Sequence, residues 1–220
     1  MKRLLLLFAV LMSMPFYGIS QSVSDINRPT IGGLDEVAPF SEGMAAVRKG
    51  EQWGFIDKEG HLVIDFRSDL VWNRQASNAQ GVAGIRYPEF KGGMSIISKR
   101  TEEDIPLYGF INTKGETVIE PEFVNVSPFE AGHAVGIYAN KTHRGKNEFQ
   151  LDIYDYGFTE VLLNKEGEMI WPVQQRQGII MSKRRFKLPE LRTRLLSEDL
   201  LTVKDNNNKW KIVKMTPGGE

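Results

Sequence analysis

Between Phe40 and Asp65 the chain reads FSEGMAAVRKGEQWGFIDKEGHLVID, with short apolar runs separated by polar turns. Met44 to Val47, Trp53 to Asp57 and Leu62 to Asp65 are too short for helices and are bounded by Gly and charged residues, which predicts three antiparallel strands. In WGFID, Trp53 and Phe55 fall on one face and Gly54 and Ile56 on the other, because side chains alternate along a strand. Asp57 stands three residues before Gly60, the pattern of a type I turn closing a hairpin with a bulge.

The pattern returns along the chain. Its first half recurs as Phe40-SEGMAAV, Phe90-KGGMSII, Phe129-EAGHAVG and Leu196-SEDLLTV. Its second half recurs as WGFIDKEG from Trp53 and YGFINTKG from Tyr108, and more weakly as LLNKEG from Leu162 and WKIV from Trp210. Asn112 and Asn164 precede Gly115 and Gly167 as Asp57 precedes Gly60. The residues that define the repeat are Phe40, Gly43, Trp53, Gly54, Gly60, Phe90, Tyr108, Gly109, Gly115, Phe129, Gly132, Gly167 and Trp210. Self-similarity of this kind predicts an all-β array of about four hairpin or meander units, either an open solenoid or a propeller-like ring.

Gly inside a strand marks a bend or a close backbone approach, so Gly54 and Gly109 are expected to accept the next copy's backbone or an aromatic ring. In the last copy Lys211 takes that place, as suits a terminal unit with no neighbour on that side. The third copy departs most. Aligned on its turn, Glu160 and Val161 replace the aromatic residue and Gly, while Tyr156-Gly157-Phe158 lies four residues earlier. An even offset presents the same faces, and LDIYDYGFTEVLLN reads as one long strand with Tyr154, Tyr156, Phe158 and Leu162 on one side.

Insertions account for uneven spacing between copies and are expected to be loops that share one binding face, at Arg67 to Arg86, Arg100 to Pro106, Asn140 to Glu148 and Gln174 to Leu195. The last predicts a short helix from Pro189, with Leu191, Leu195 and Leu196 spaced for one face. Asn206 to Asn208 form a polar hairpin tip.

The Phe-x-x-Gly-Met-Ala-x-Val half, followed by Trp53-Gly54-Phe55-Ile56-Asp57 with Gly60 and then Val63-Ile64, resembles the WG-repeat family of bacterial β-repeat proteins. The resemblance spans about Phe40 to Val213, strong in the first copy, good in the second and partial in the third and fourth. It implies an all-β array and, commonly, an exported protein of undefined activity or an interaction module. It brings no catalytic motif.

The termini add a location. MKRLLLLFAVLMSMPFYGISQS has a basic start at Lys2 and Arg3, an apolar run from Leu4 to Met12, a break at Pro15 and small residues at Gly18 and Ser20, the three regions of a secretory signal peptide. Its apolar run is too short to span a bilayer. The expected organisation is a signal peptide over 1–20, cleaved near Ser20 and Gln21, a leader over 21–38, a repeat domain over 39–215 and a disordered tail over 216–220. No cysteine occurs in the 220 residues, which excludes disulfides, thiolate ligands and a lipid-anchored cysteine after the signal. A periplasmic or secreted protein that is not a lipoprotein is expected.

Charge removes a further class. Lys and Arg total 28 and Asp and Glu total 28, so no global field recruits nucleic acid. The three histidines, His61, His133 and His143, are dispersed and none has a metal-binding context. His133 replaces the first residue of a core strand and should point inward or toward an interface. Asp57 serves a turn, Asp65 and Glu120 end strands, and Glu102, Glu103 and Asp104 form a solvated run, which leaves few carboxylates for acid–base work. No nucleophile elbow or phosphate loop appears. Neither a cofactor nor a metal is expected.

Two features suggest contact with a partner. Lys183, Arg184, Arg185 and Lys187 form the one dense basic patch, suited to an anionic glycan. Trp72 stands outside the repeat among Asn73, Gln75, Asn78 and Gln80, suited to a surface contact, whereas Trp53 and Trp210 read as core. The expected function is a binding or scaffolding module for an envelope or extracellular protein or glycan, with no catalytic site of its own. The competing reading is a carbohydrate- or peptidoglycan-directed hydrolase using carboxylates from different copies.

Overall fold

The computed structural model describes residues 27–215. The signal peptide, its cleavage point and the tail after Met215 lie outside the described residues. The chain divides at Gly32 and Gly33. Of the part before that division, the described residues 27–32 form no strand.

From Gly33 to Met215 the protein is all-β apart from one 3-10 turn. β1 (Glu36–Ser41), β2 (Met44–Lys49), β3 (Gln52–Ile56) and β4 (Leu62–Arg67) form one antiparallel sheet in chain order. β5 (Met94–Arg100), β6 (Pro106–Asn112), β7 (Thr117–Val126), β8 (Ala134–Lys146), β9 (Asp152–Leu163) and β10 (Met169–Arg176) form a six-stranded meander, and β11 (Thr193–Ser197), β12 (Leu200–Lys204) and β13 (Trp210–Lys214) form a third sheet. β1 begins inside the stretch read as leader, where Glu36 and Val37 pair with Arg48 and Val47.

The four copies superimpose by register. Ala46 pairs with Phe55, Ile96 with Phe110, Val135 with Leu162 and Thr202 with Ile212. Glu160, paired with Ile137, stands where Trp53 pairs with Arg48 and Tyr108 with Ser98, so the third copy keeps its turn-aligned register. β9 runs unbroken through both registers, as expected.

Turn chemistry sets these hairpins. Glu42-Gly43, Gly92-Gly93 and Ala131-Gly132 all lie at positive φ, the two-residue type I′ loop whose twist suits flanking strands. In the second half the Asp57 carboxylate accepts from the Glu59 and His61 amides at 3.0 and 2.8 Å, and Gly60 takes φ 80°. Asn112, Asn164 and Asp205 repeat the arrangement.

Successive copies join through an aromatic pair. Phe90 of the second copy sits 4.6 Å, centroid to centroid, from Phe55 of the first, and Phe129 of the third sits 4.9 Å from Phe110 of the second. All four rings are fully buried, each contributing roughly 2–3 kcal/mol of transfer free energy before ordering costs. Beside the first pair, the Glu42 carboxylate accepts from the Gly92 and Gly93 amides, both at 2.7 Å. In the third joint, Leu195 packs on the cluster containing Leu162.

Several expectations need correction. The repeat Gly accommodates the next strand of its own copy, not the next copy. A Cβ on Gly54 would stand 2.8 Å from the Ile64 carbonyl oxygen, and one on Gly109 would collide with the Ile119 carbonyl. β4 and β7 bulge inward at these points. In the third copy Val161 pairs with Pro172 and the ladder shifts register between Pro172 and Gln174, and after β13 no further strand exists among the described residues.

Leu196 is not the inward residue of the fourth copy. Leu195 pairs with Leu201 and Ser197 with Leu200, so Leu196 is extruded by a bulge and exposed. The Asn140–Glu148 insertion is not a loop but an extension of the β8–β9 hairpin. The expected helix from Pro189 is absent. Among the described residues the one helical piece is a 3-10 turn at Gly81–Gly84. The amides of Arg192 and Thr193, which a helix would have used, are bound instead by Glu160.

Candidate functional site

Glu160 shows how a departure from the pattern acquires a role. At the aromatic position of the third copy it is fully buried, and its carboxylate accepts from Arg176 Nη1 at 2.8 Å, Gln174 Nε2 at 3.1 Å, and the Arg192 and Thr193 amides at 2.7 and 2.9 Å. Arg176 also donates to the Glu190 carbonyl at 2.7 Å. One carboxylate thereby ties β9 and β10 to the start of β11. A buried charge is tolerated only when paired and hydrogen-bonded in this way. This node is structural, and it holds the segment from Gln177 to Arg192 against the third copy.

That segment carries the predicted basic patch. Arg184, Arg185 and Lys187 line one cavity of about 540 Å³, with Gly178, Ile180 and Leu188 among its other walls. No ion pair occupies these three cations among the described residues. Lys183 separates from them, its ammonium lying 3.2 Å from Asp104 on the β5–β6 turn. Its hydrogen bond, helped by the Arg100 charge, holds the Asp104 carboxyl below the usual carboxylate range.

Trp72 is placed elsewhere. Its ring packs edge-on to Trp53 at 5.6 Å, with the Arg48 and Arg74 guanidinium groups each 5.6 Å from its centroid. Half-buried, it packs against the first copy's core. Trp53 is core as expected, but Trp210 is 47% exposed. His133 is half-buried and shares the wall of a cavity of about 320 Å³ with Thr193 and Arg194 of the fourth copy. His61 and His143 lie beside Asp57 and Asp152 at 3.4 and 2.9 Å.

The β8–β9 ribbon is a feature of which the sequence revealed one strand, β9, and hid the other. Paired residues continue from Ala134 opposite Leu163 out to Lys146 opposite Asp152, and beyond Ala139 and Phe158 the ribbon is largely exposed. Asn147 accepts from the Phe149 and Leu151 amides to close the tip, where Phe149 is 81% exposed. Leu151, Ile153 and Tyr154 are also exposed. Lys141 lies 4.0 Å from the Tyr154 ring centroid, and Arg144 pairs with Asp155. At the ribbon's base a cavity of about 500 Å³ is lined by Glu102, Glu103, Glu122, Tyr138 and Tyr156. Met181, from the segment carrying the basic patch, also lines it.

A family model described as the WG containing repeat matches residues 34–53, 53–73 and 108–135. Over these residues the chain carries the WG-type repeat. The matches fall on β1 to β4 with the strand pairs around Trp53-Gly54, and on β6 to the start of β8 around Tyr108-Gly109. The remaining two copies of this WG-repeat protein are defined by strand register. Searches of curated proteins and of solved structures returned no match.

Proposed function

We propose that this WG-repeat protein is an exported binding or scaffolding module with no catalytic site of its own, engaging a protein or glycan partner through the β8–β9 ribbon. The observation that carries the reading is the ribbon itself. Two strands of 13 and 12 residues stay paired to their tip, although the outer half contributes nothing to the core and presents Phe149, Leu151, Ile153 and Tyr154 to solvent. Exposed apolar side chains clustered on a hydrogen-bonded element mark an interaction surface. Rigid presentation lowers the ordering cost of binding. The cavity lined by Arg184, Arg185 and Lys187 provides a second contact suited to anionic groups on the partner.

The test is site-specific photo-crosslinking in the envelope of the producing cell. A photoreactive phenylalanine at position 149 should give one discrete adduct, and the same residue at the fully buried position 110 should give none. Absence of any adduct at 149, together with release of glycan fragments by the purified protein, would replace this reading with the hydrolase.

A further inference from the structure

Each joint along the array uses the same two parts. The earlier copy offers the second-half residue Phe55, Phe110 or Leu162, and the later copy covers it with Phe90, Phe129 or Leu195. Among the described residues one part is left over at each end. Phe40, the covering residue of the first copy, has no earlier copy there to cover and is 53% exposed, as is Val37 at 59%. Ile212, the receiving residue of the fourth copy, has no later copy among the described residues and is 69% exposed, two positions from the exposed Trp210 on the same strand face. β13 is moreover an edge strand, since no counterpart of β4, β7 or β10 comes after it among the described residues.

The two ends are also complementary in charge. Asp35 to Glu42 (DEVAPFSE) carries three acids and no base. β13 carries Lys211 and Lys214 and no acid, and Arg194 and Lys204 stand over Trp210 at 5.0 and 5.9 Å. Arg48 and Arg86 answer Glu36, and Asp199 answers Lys214, so the attraction is reduced but keeps its sign.

We infer that the protein associates head to tail, the Phe40 end of one copy covering the Trp210–Ile212 face of another and continuing the joint already made three times within the chain. Such a contact is heterologous. It leaves one free end of each kind at every step, and so builds open chains unless the rotation closes a ring. It does not depend on what the β8–β9 ribbon binds.

Because the chain contains no cysteine, single substitutions read the contact directly. Phe40→Cys and Ile212→Cys are made separately in the chain from Gln21 onward, mixed and oxidised. Both positions are surface positions, so both variants fold. The expected result is a 40–212 disulfide dimer far in excess of the 40–40 and 212–212 dimers. Sedimentation of the unsubstituted chain should show concentration-dependent growth, weakened by roughly tenfold in apparent affinity by Ile212→Lys. A monomer at every concentration, or equal yields of the three disulfides, overturns the inference. An intramolecular 40–212 disulfide in the double variant also overturns it, by making the chain's own first copy the occupant.

Discussion

Trp53 and Trp210 occupy the same place in two copies of one pattern, yet the first is fully buried and the second is 47% exposed. Their hairpins have the same register, and both rings lie near cationic side chains. The difference lies in the strands and rings that come after each. β4 pairs alongside Trp53 in the same sheet, and Trp72, Tyr87 and Phe90 then close over the first copy, whereas β13 has no successor among the described residues. Burial in this fold is therefore a property of the neighbouring copy more than of the residue, as expected where stability is a sum of units and interfaces.

The largest effect that sharpens this contrast comes from the node that substitutes for an aromatic contact. Glu160→Ala leaves Arg176 buried without its partner and orphans the Arg192 and Thr193 amides. It should cost about 4–5 kcal/mol in chemical denaturation, with the third sheet losing hydrogen-exchange protection first. Next, Trp53→Ala should cost about 3–5 kcal/mol and Trp210→Ala under about 1 kcal/mol, measured on the same denaturation scale. Equal costs would dissolve the distinction between an inner and an end copy.

A smaller pair of substitutions tests the glycine. Gly109→Ala forces a Cβ against the Ile119 carbonyl and should cost about 2–3 kcal/mol. Gly157, four residues from the turn-aligned Val161, has open space around it, and Gly157→Ala should change stability by less than about 0.5 kcal/mol. The smallest effect is a pH dependence. Burial pushes the Tyr108 phenol above its ordinary value, so the folded chain keeps it neutral while the unfolded chain ionises near pH 10. Its contribution is complete below that pH and is lost as pH rises through the folded-state value. Tyr108→Phe should flatten that alkaline limb in a pH series of unfolding midpoints.

The local chemistry of the first two copies was legible because each signal has one physical meaning. Asp57 and Asn112 before a Gly specify the turn, and alternation around Trp53 and Tyr108 specifies a half-buried strand. Only half of the ribbon was legible. LDIYDYGFTEVLLN reads as one long strand, but NKTHRGKNE opposite it faces water on both sides, shows no alternation and reads as a loop. Leu196 was misplaced by one because a bulge shifts the register without changing the sequence pattern. The helix expected from Pro189 failed to a tertiary contact, since Glu160 claims two amides that local spacing assigned to a helix. Of the candidate site, the basic residues were legible as a run, but not the separation of Lys183 toward Asp104. Trp72 looked like a free surface residue because nothing local reveals the Trp53 ring beneath it.

The most direct test of the dependence of each copy on its successor is residue-resolved native-state hydrogen exchange on dilute protein. The account predicts that amides of β6 and of the inner halves of β8 (Ala134 to Ile137) and β9 (Phe158 to Leu163) exchange only through global unfolding, while those of β12 and β13 open at a distinctly lower free energy. Uniform protection across all four hairpins would contradict it.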